Sequence, residues 1–419
     1  MKNLSITNVL IINKSIHWCI IGMILPISTL FIMDKGISLL QIGLLVAIQS
    51  ATVIIFEVPS GALADNYGRK NVYIISMMMM CVAAIIYIFS VGLFQVSIGI
   101  VFMGIAQALS SGTIDAWFVD EFNNEFPKGD LQSALAKSNV FTLISLGGSS
   151  LLAGILPMSI GTILHAKLHL SSYSINFIVE IFLIIIQIIL TKKLIVEEIH
   201  ENKKAKILES LKSSPKTLKS SLEIVVRNKS IFFMMLSTVV WGLGFSALEV
   251  YWQPQVKNIL GGETKIIVFG VINAGYFFAG AIGSIIISPI CKLFKGNLLR
   301  VLILIRILLG ISFIILAFQK NIITFVIVYL LLYAINGMAE SPYYTLFNNH
   351  VENENRATLL SLESLFMKSG GLVGSLGMGF VAKDYSISIG WIIIGVVVIT
   401  SASLFFKILM MDKKHSSSP

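Results

Sequence analysis

Residues 57–70 read Glu57-Val58-Pro59-Ser60-Gly61-Ala62-Leu63-Ala64-Asp65-Asn66-Tyr67-Gly68-Arg69-Lys70, with an apolar run on either side. Each run, 39–60 and 72–92, is long enough to cross a hydrocarbon core of about 30 Å. The stretch 61–70 therefore reads as a short polar connector between two membrane helices. Gly61 and Gly68 permit close approach and positive φ where the chain reverses. Asp65, Arg69 and Lys70 bring one negative and two positive charges to the interface, where a charge pair can form.

Working outward, 419 residues with 56% hydrophobic and 13% charged side chains, and a mean hydropathy of +0.87, exclude a string of soluble domains. The first apolar run, 6–33, is too long for a secretory signal, holds Lys14 and His17, and has no small-residue cleavage site, so it reads as a span. Further runs fall at 96–119, 138–164 and 174–191, then at 230–255, 266–291, 298–318, 322–346, 357–382 and 388–410. With 39–60 and 72–92 these make twelve, numbered here as spans 1–12. The expected fold is an all-α membrane protein with an N-terminal half (1–191), a basic linker (192–229) and a C-terminal half (230–419). An amphipathic helix is expected at 207–222.

The net charge of +9 belongs to the short loops, and residues 192–229 alone hold ten Lys/Arg against five Glu. With the N-terminus inside, 22 Lys/Arg lie on the cytoplasmic side and six outside (Lys35, Lys167, Lys257, Lys265, Lys320, Lys383), which places both termini in the cytoplasm. A lipid bilayer, not nucleic acid, is the partner this distribution fits. Cys19, Cys81, Cys291 and the six histidines show no pairing or ligand spacing, so neither a disulfide framework nor a metal or cofactor is expected.

An internal repeat supports two copies of one unit. Gly112-Thr113-Ile114-Asp115 followed by Phe122-Asn123-Asn124 matches Gly337-Met338-Ala339-Glu340 followed by Phe347-Asn348-Asn349 at an offset of 225. Gly147-Gly148 matches Gly370-Gly371 at 223, and Gly43 matches Gly270 at 227. The turn 288–296 puts Lys292 where Asp65 aligns, so a charge latch belongs to the first half.

A charge at the middle of a span costs about 2.5–3.5 kcal/mol on insertion scales, so Glu57, Asp115, Glu180, Glu249, Arg306, Glu340, Glu363 and Lys368 each call for a partner, water or a task. Asp115 shares a helical stripe with Ser111 and Gln107, and Glu340 repeats this with Asn336, Tyr333 and Tyr344, two residues before Pro342. Either acid fits proton coupling, or a hydrated structural place near a helix end. Trp241, Phe245, Glu249 and Trp252 share a face of span 7 that suits a cationic or zwitterionic amphiphile, or an outer aromatic belt. Glu180, Arg306 and Lys368 are expected to pair with opposite charges across the bundle, the alternative for the cations being an anionic cargo.

Gly61, Asp65, Gly68, Arg69 and Lys70 resemble the G-x-x-x-D-x-x-G-R-K loop of the major facilitator superfamily, and the span count and repeat extend the likeness over the whole chain. The resemblance implies two pseudo-symmetric six-helix halves, alternating access and no bond chemistry. It also implies a latch of Asp65 and Arg69 with Asp120 or Glu121 at the end of span 4, with Asp65 facing the start of span 11 near Ala357 to Ser361. Glu57-x-Pro59 joined to Asp65-x-x-x-Arg69-Lys70 is similar to the E-x-P-x5-D-x3-R-K spelling of a branch of Gram-positive tetracycline exporters and of macrolide-exporter-like proteins.

Two departures bear on mechanism. Gly104-x-x-Gln107-Ala108 stands where drug/proton antiporters of the larger branch carry R-x-x-Q-G, and their helix 5 motif G-x-x-x-G-P-x-x-G-G is missing. Proton coupling then falls to Glu57, Asp115 and Glu340, and cargo contact to Gln107, Trp241, Phe245, Glu249, Trp252, Tyr333 and Asn336. The resemblance implies a monomeric exporter in the bacterial inner membrane, moving an amphiphilic drug-like molecule, tetracycline class favoured, in exchange for protons. A macrolide or multidrug exporter, a nutrient symporter and a non-transporting receptor or assembly protein remain open alternatives.

Overall fold

The computed structural model describes residues 5–126, 130–197, 222–261, 265–351 and 356–416. The amphipathic stretch expected at 207–222 falls outside them except for its last residue. Twelve helical segments are long and apolar enough to cross a membrane: Ile6–Asp34, Leu39–Glu57, Arg69–Phe89, Leu93–Glu125, Ser133–Met158, Ser174–Leu194, Lys229–Ile259, Ile267–Leu293, Leu298–Ala317, Ile322–His350, Leu359–Asp384 and Ile387–Asp412. These are spans 1–12 in order. Among the described residues there is no strand. Helices satisfy their own backbone polar groups, which hydrocarbon cannot do for them.

Several spans are interrupted where the sequence weakens the helix. Span 1 consists of Ile6–Ile24 and Ser28–Asp34 on either side of Pro26, and span 5 passes through a 3-10 turn, Leu156–Met158, at Pro157. Span 4 consists of Leu93–Ser110 and Thr113–Glu125, with Gly112 at φ +67° between them. Span 10 breaks at the equivalent place, into Ile322–Gly337 and Glu340–His350. The repeat read in the sequence is thus a repeated helix break. It corrects one expectation: Gln107 precedes the break and Asp115 follows it, so they do not share one unbroken stripe.

The connector after span 2 also differs from a ten-residue loop. The helix runs on from Leu39 to Tyr67, through Pro59, and the reversal is confined to Gly68 at φ +86°. Gly61 lies inside that helix with open space around it.

Small residues let helix backbones touch. A methyl group on Gly370 or Gly374 of span 11 would overlap the carbonyl oxygens of Val239 and Leu243 in span 7, and one on Gly242 would overlap that of Met367. Gly310 of span 9 and Gly395 of span 12 each face the other's carbonyl oxygen in the same way. The glycine pair of the repeat behaves alike in both copies, Gly43 seating on the Ser375 carbonyl and Gly270 on that of Ser150.

Contacts divide the chain into two compact units. One gathers the described residues of Met1–Ser38, Ala51–Ser213 and Lys265–Ala274; the other those of Leu39–Ser50, Ser214–Thr264 and Gly275–Pro419. In the first unit Asn273 donates to Ser150 Oγ at 2.8 Å; in the second the Tyr251 hydroxyl donates to the Leu39 carbonyl at 3.0 Å. The first unit is filled by a core that includes Leu10, Met77, Phe118 and Ile184, the second by one that includes Met234, Leu302, Phe347 and Phe405.

Because the span 7 backbone blocks any side chain at Gly370, Gly370→Ala is expected to cost about 1–3 kcal/mol through overpacking. Gly377→Ala, on the same helix but facing open space, is expected to stay within about 0.5 kcal/mol of wild type. Thermal melting of the two purified variants in detergent checks the contrast.

Candidate functional site

Arg69 and Lys70 open span 3, and their first backbone N–H groups have no partner within the helix. Glu197, just beyond span 6, supplies both: Oε1 accepts from Arg69 N at 2.7 Å and Oε2 from Lys70 N at 2.9 Å. Gly68 is open enough to admit this carboxylate, since a side chain there would collide with Glu197 Oε2. A carboxylate at a helix N-terminus is also favoured by the helix dipole. Lys70 Nζ donates to the Lys192 carbonyl at 3.0 Å, and Trp117 Nε1 to that of Val196 at 3.1 Å. Glu197 was not among the candidates, because an acid inside a basic linker reads as solvated.

Arg69 Nη1 donates to Asp120 Oδ2 at 2.6 Å, so of the two acids named for the latch it is Asp120 that pairs. Glu121 is exposed, and the side chain of Asp65 lies outside the described residues, as do those of 356–358 at the start of span 11.

The break in span 4 is itself a polar place. Asp115 sits in the first turn of its second helix and pairs with Lys14 of span 1 at 2.9 Å, with the Asp115 side chain 55% exposed. Ser111, at the break, lies within a long hydrogen bond of Glu57 Oε1, 3.4 Å. Glu57 and Asp115 are thus brought to the same break from spans 2 and 4. Gln107 is exposed one turn earlier.

In the second unit the break in span 10 borders a recess of about 280 Å³. Its lining includes Trp241, Arg306, Asn336, Glu340, Tyr344 and Glu363. Trp241 Nε1 donates to Asn336 Oδ1 at 2.8 Å and stacks on Phe245 at 5.0 Å, which fixes that wall. Glu363, 8% exposed, lies within long hydrogen bonds, 3.5 Å each, of the hydroxyls of Thr238 and Tyr344. Arg306, 5% exposed, donates through Nη2 to the Ser237 carbonyl and hydroxyl and lies over the Phe405 ring.

Farther along span 7, Glu249 retains accessible surface and has no ion pair among the described residues. Around it stand Tyr276, Tyr329 and Tyr333, with the rings of Tyr276 and Tyr333 stacked at 4.3 Å. Trp252 is buried against Tyr329 at 5.5 Å. The expected face of span 7 therefore divides into two places, Trp241 and Phe245 beside the recess and Glu249 and Trp252 beside the tyrosines.

The charge pairings expected of Glu180 and Arg306 are not what the structure contains. Among the described residues no cation lies within ion-pairing distance of Glu180, and no acid within that distance of Arg306, whose Nη2 donates to Ser237. Lys368 likewise forms no ion pair among the described residues. Hydroxyls and carbonyls of neighbouring helices neutralise a guanidinium's hydrogen-bonding demand without a counter-charge, which residue spacing does not reveal.

These twelve helices, the repeated breaks and the Arg69–Asp120 connection define a transporter fold, and comparison with known proteins agrees. The family model described as Major Facilitator Superfamily matches residues 10–362 and 256–419. The chain belongs to that superfamily and is a multi-pass membrane protein. It is similar to an uncharacterized MFS-type transporter, YxaM, of Bacillus subtilis (strain 168), with 24% identity over 264 residues, 62% of this chain. The match spans 58% of that relative's length. Among solved structures, the nucleoside transporter NupG superposes with a TM-score of 0.76 at 12% identity, covering 97% of this chain and 99% of that one. A bacterial homolog of the human lysosomal transporter Spinster gives 0.71 at 11% identity, covering 96% and 95%, and the POT family transporter PepTSo gives 0.70 at 10%, covering 99% of both. At such identities the likeness carries the fold alone.

Removing the Glu197 carboxylate leaves two backbone donors unpaired, so Glu197→Ala is expected to cost about 1–2 kcal/mol, as loss of a helix cap does. Asp120→Asn, which weakens an exposed pair, is expected to cost less than about 1 kcal/mol. Melting temperatures in detergent give the order; an equal or reversed effect would contradict the capping role.

Proposed function

We propose that the chain is an exporter of an amphiphilic, zwitterionic drug-like molecule, tetracycline class first, driven by inward movement of protons. The observation that carries this reading is the recess in the second unit. Aromatic rings of Trp241, Tyr343 and Tyr344 line it beside a guanidinium, Arg306, and two carboxyls, Glu340 and Glu363. A flat molecule bearing both signs of charge finds stacking surface and both counter-charges there. Glu249 with Lys368, amid Tyr276, Tyr329 and Tyr333, repeats that chemistry farther along span 7.

In this mechanism the protein alternates between access to one side of the membrane and access to the other, and each step exposes one set of polar groups. Glu57, Asp115 and Glu340, at the two helix breaks, exchange protons with water, and Asp115 exchanges its partner Lys14 for a proton. Arg69 and Asp120, with Asp65, latch one state on the cytoplasmic side, where the basic loops place both termini. No covalent bond is made or broken, and one copy suffices.

Expression in a drug-sensitive bacterial host tests the reading. Tetracycline accumulation is expected to fall several-fold relative to cells with the empty vector, and a protonophore is expected to restore it. Asp115→Asn is expected to remove most of the effect with the protein still in the membrane. Unchanged accumulation of tetracycline, alongside uptake of a nutrient that the host otherwise lacks, would favour a symporter instead.

A further inference from the structure

Span 6 carries a polar stripe on a face that is completely buried: Asn176, Glu180, Gln187 and Thr191, each 0–1% exposed, at helical spacing. In hydrocarbon-facing architecture such a stripe has to be satisfied by neighbouring helices. Much of it is. Asn176 Nδ2 donates to the carbonyls of Met23 and Ala153, both at 3.0 Å. Gln187 Nε2 donates to the Asn13 carbonyl at 3.2 Å and to the Tyr73 hydroxyl at 2.9 Å, which in turn lies 3.0 Å from His17 Nδ1. Asn13 Nδ2 donates to Thr191 Oγ1 at 3.0 Å.

Three oxygen acceptors on the stripe are left buried without a hydrogen-bond donor: Asn176 Oδ1, Glu180 Oε2 and Gln187 Oε1. Turning either amide over does not help, because its nitrogen already serves at least one backbone carbonyl, Met23 and Ala153 for Asn176 and Asn13 for Gln187. Asn176 and Glu180 are four residues apart, so their side chains share one face and lie within reach of each other. Two acceptors in that position oppose each other unless a hydrogen stands between them, and an ionised carboxylate buried without a cation is among the costliest arrangements in a protein. A hydrogen on Glu180 removes the charge and supplies the donor that Asn176 Oδ1, one helical turn away, lacks.

From this geometry we infer that Glu180 is an exchangeable proton site inside the first unit, hydrogen-bonded to Asn176 when occupied. The groups it faces are compatible with that role. Span 3, packed on span 6, brings the titratable side chains Tyr73, Cys81 and Tyr87. Span 1, packed on the same helix, brings Lys14, His17 and Cys19; Lys14 is taken by Asp115 of span 4, and His17 by Tyr73. On release the carboxyl O–H bond breaks and the proton passes to water, leaving a carboxylate, so no other reactant is required. The inference deepens the antiport reading and rests on it only for the coupling of that release to cargo.

Infrared difference spectroscopy of the full-length protein in lipid nanodiscs, across pH in potassium buffer, reads the acid directly. A carboxylic acid C=O band that titrates reversibly is expected in the wild type. It should be lost in Glu180→Gln, displaced in Glu180→Asp and retained in Asp115→Asn. Glu180→Gln is expected to melt as the wild type does, because its amide donates to Asn176 in place of the acid; if that variant does not fold, the displacement in Glu180→Asp decides. Persistence of an unaltered band in the Glu180 variants, a wild-type band that ignores pH or is missing, or its removal by Na⁺ at constant pH would each overturn the proposal. In liposomes, Glu180→Gln should keep downhill tetracycline counterflow and lose uphill transport driven by a pH gradient; retained uphill transport would overturn the coupling. Should the wild type move no tetracycline, the antiport reading fails while the infrared result still decides the proton site.

Discussion

Polar side chains in a bilayer have no water to fall back on, and the interior of this molecule is arranged by that constraint. Among the described residues, several charged groups within the spans meet a partner from another helix, and Glu180 is an exception. Lys14 reaches Asp115, Arg306 reaches Ser237, and Glu363 lies beside Thr238 and Tyr344. Holding such partners in place demands close helix packing, which the glycine contacts at Gly242, Gly310, Gly370 and Gly395 provide. The same small residues therefore serve packing and polar satisfaction together.

The two helix breaks connect packing to function. At Gly112 and again after Gly337 a continuous span is divided, and the acid that follows, Asp115 or Glu340, is delivered to an accessible place instead of the bundle's core. A break leaves backbone groups that need hydration or partners, so irregular backbone at membrane depth belongs beside a cavity. In the second unit a recess does border it. The breaks fall at equivalent positions of the repeat, while the acids that follow them and their neighbours differ.

Hydropathy and residue identity made the span count and the repeat legible, because each is a property of the chain's own order, whereas the connector after span 2, read as a ten-residue loop, is helical to Tyr67. Asp120 was narrowed to one of two acids at the end of span 4, and only Arg69's reach distinguished it from Glu121. Glu197 was illegible, since its role comes from meeting span 3 across more than a hundred residues of chain. The partner of Arg306 was misjudged for the same reason: opposite charge is visible in a sequence, but a serine carbonyl is not. Gly112, Gly337 and Pro342 were visible markers, yet helical periodicity continued across the first break and concealed that Gln107 and Asp115 lie on separate helices.

The account stands or falls on whether cargo and protons cross the membrane on the same protein. Purified protein in liposomes that enclose a pH-sensitive dye, with tetracycline added on one side and no other gradient imposed, measures this most directly. Wild-type protein is predicted to produce a tetracycline-dependent proton flux directed opposite to the drug's movement, beyond that of protein-free liposomes. Tetracycline movement with no accompanying change in internal pH, or no difference from protein-free liposomes, would contradict it.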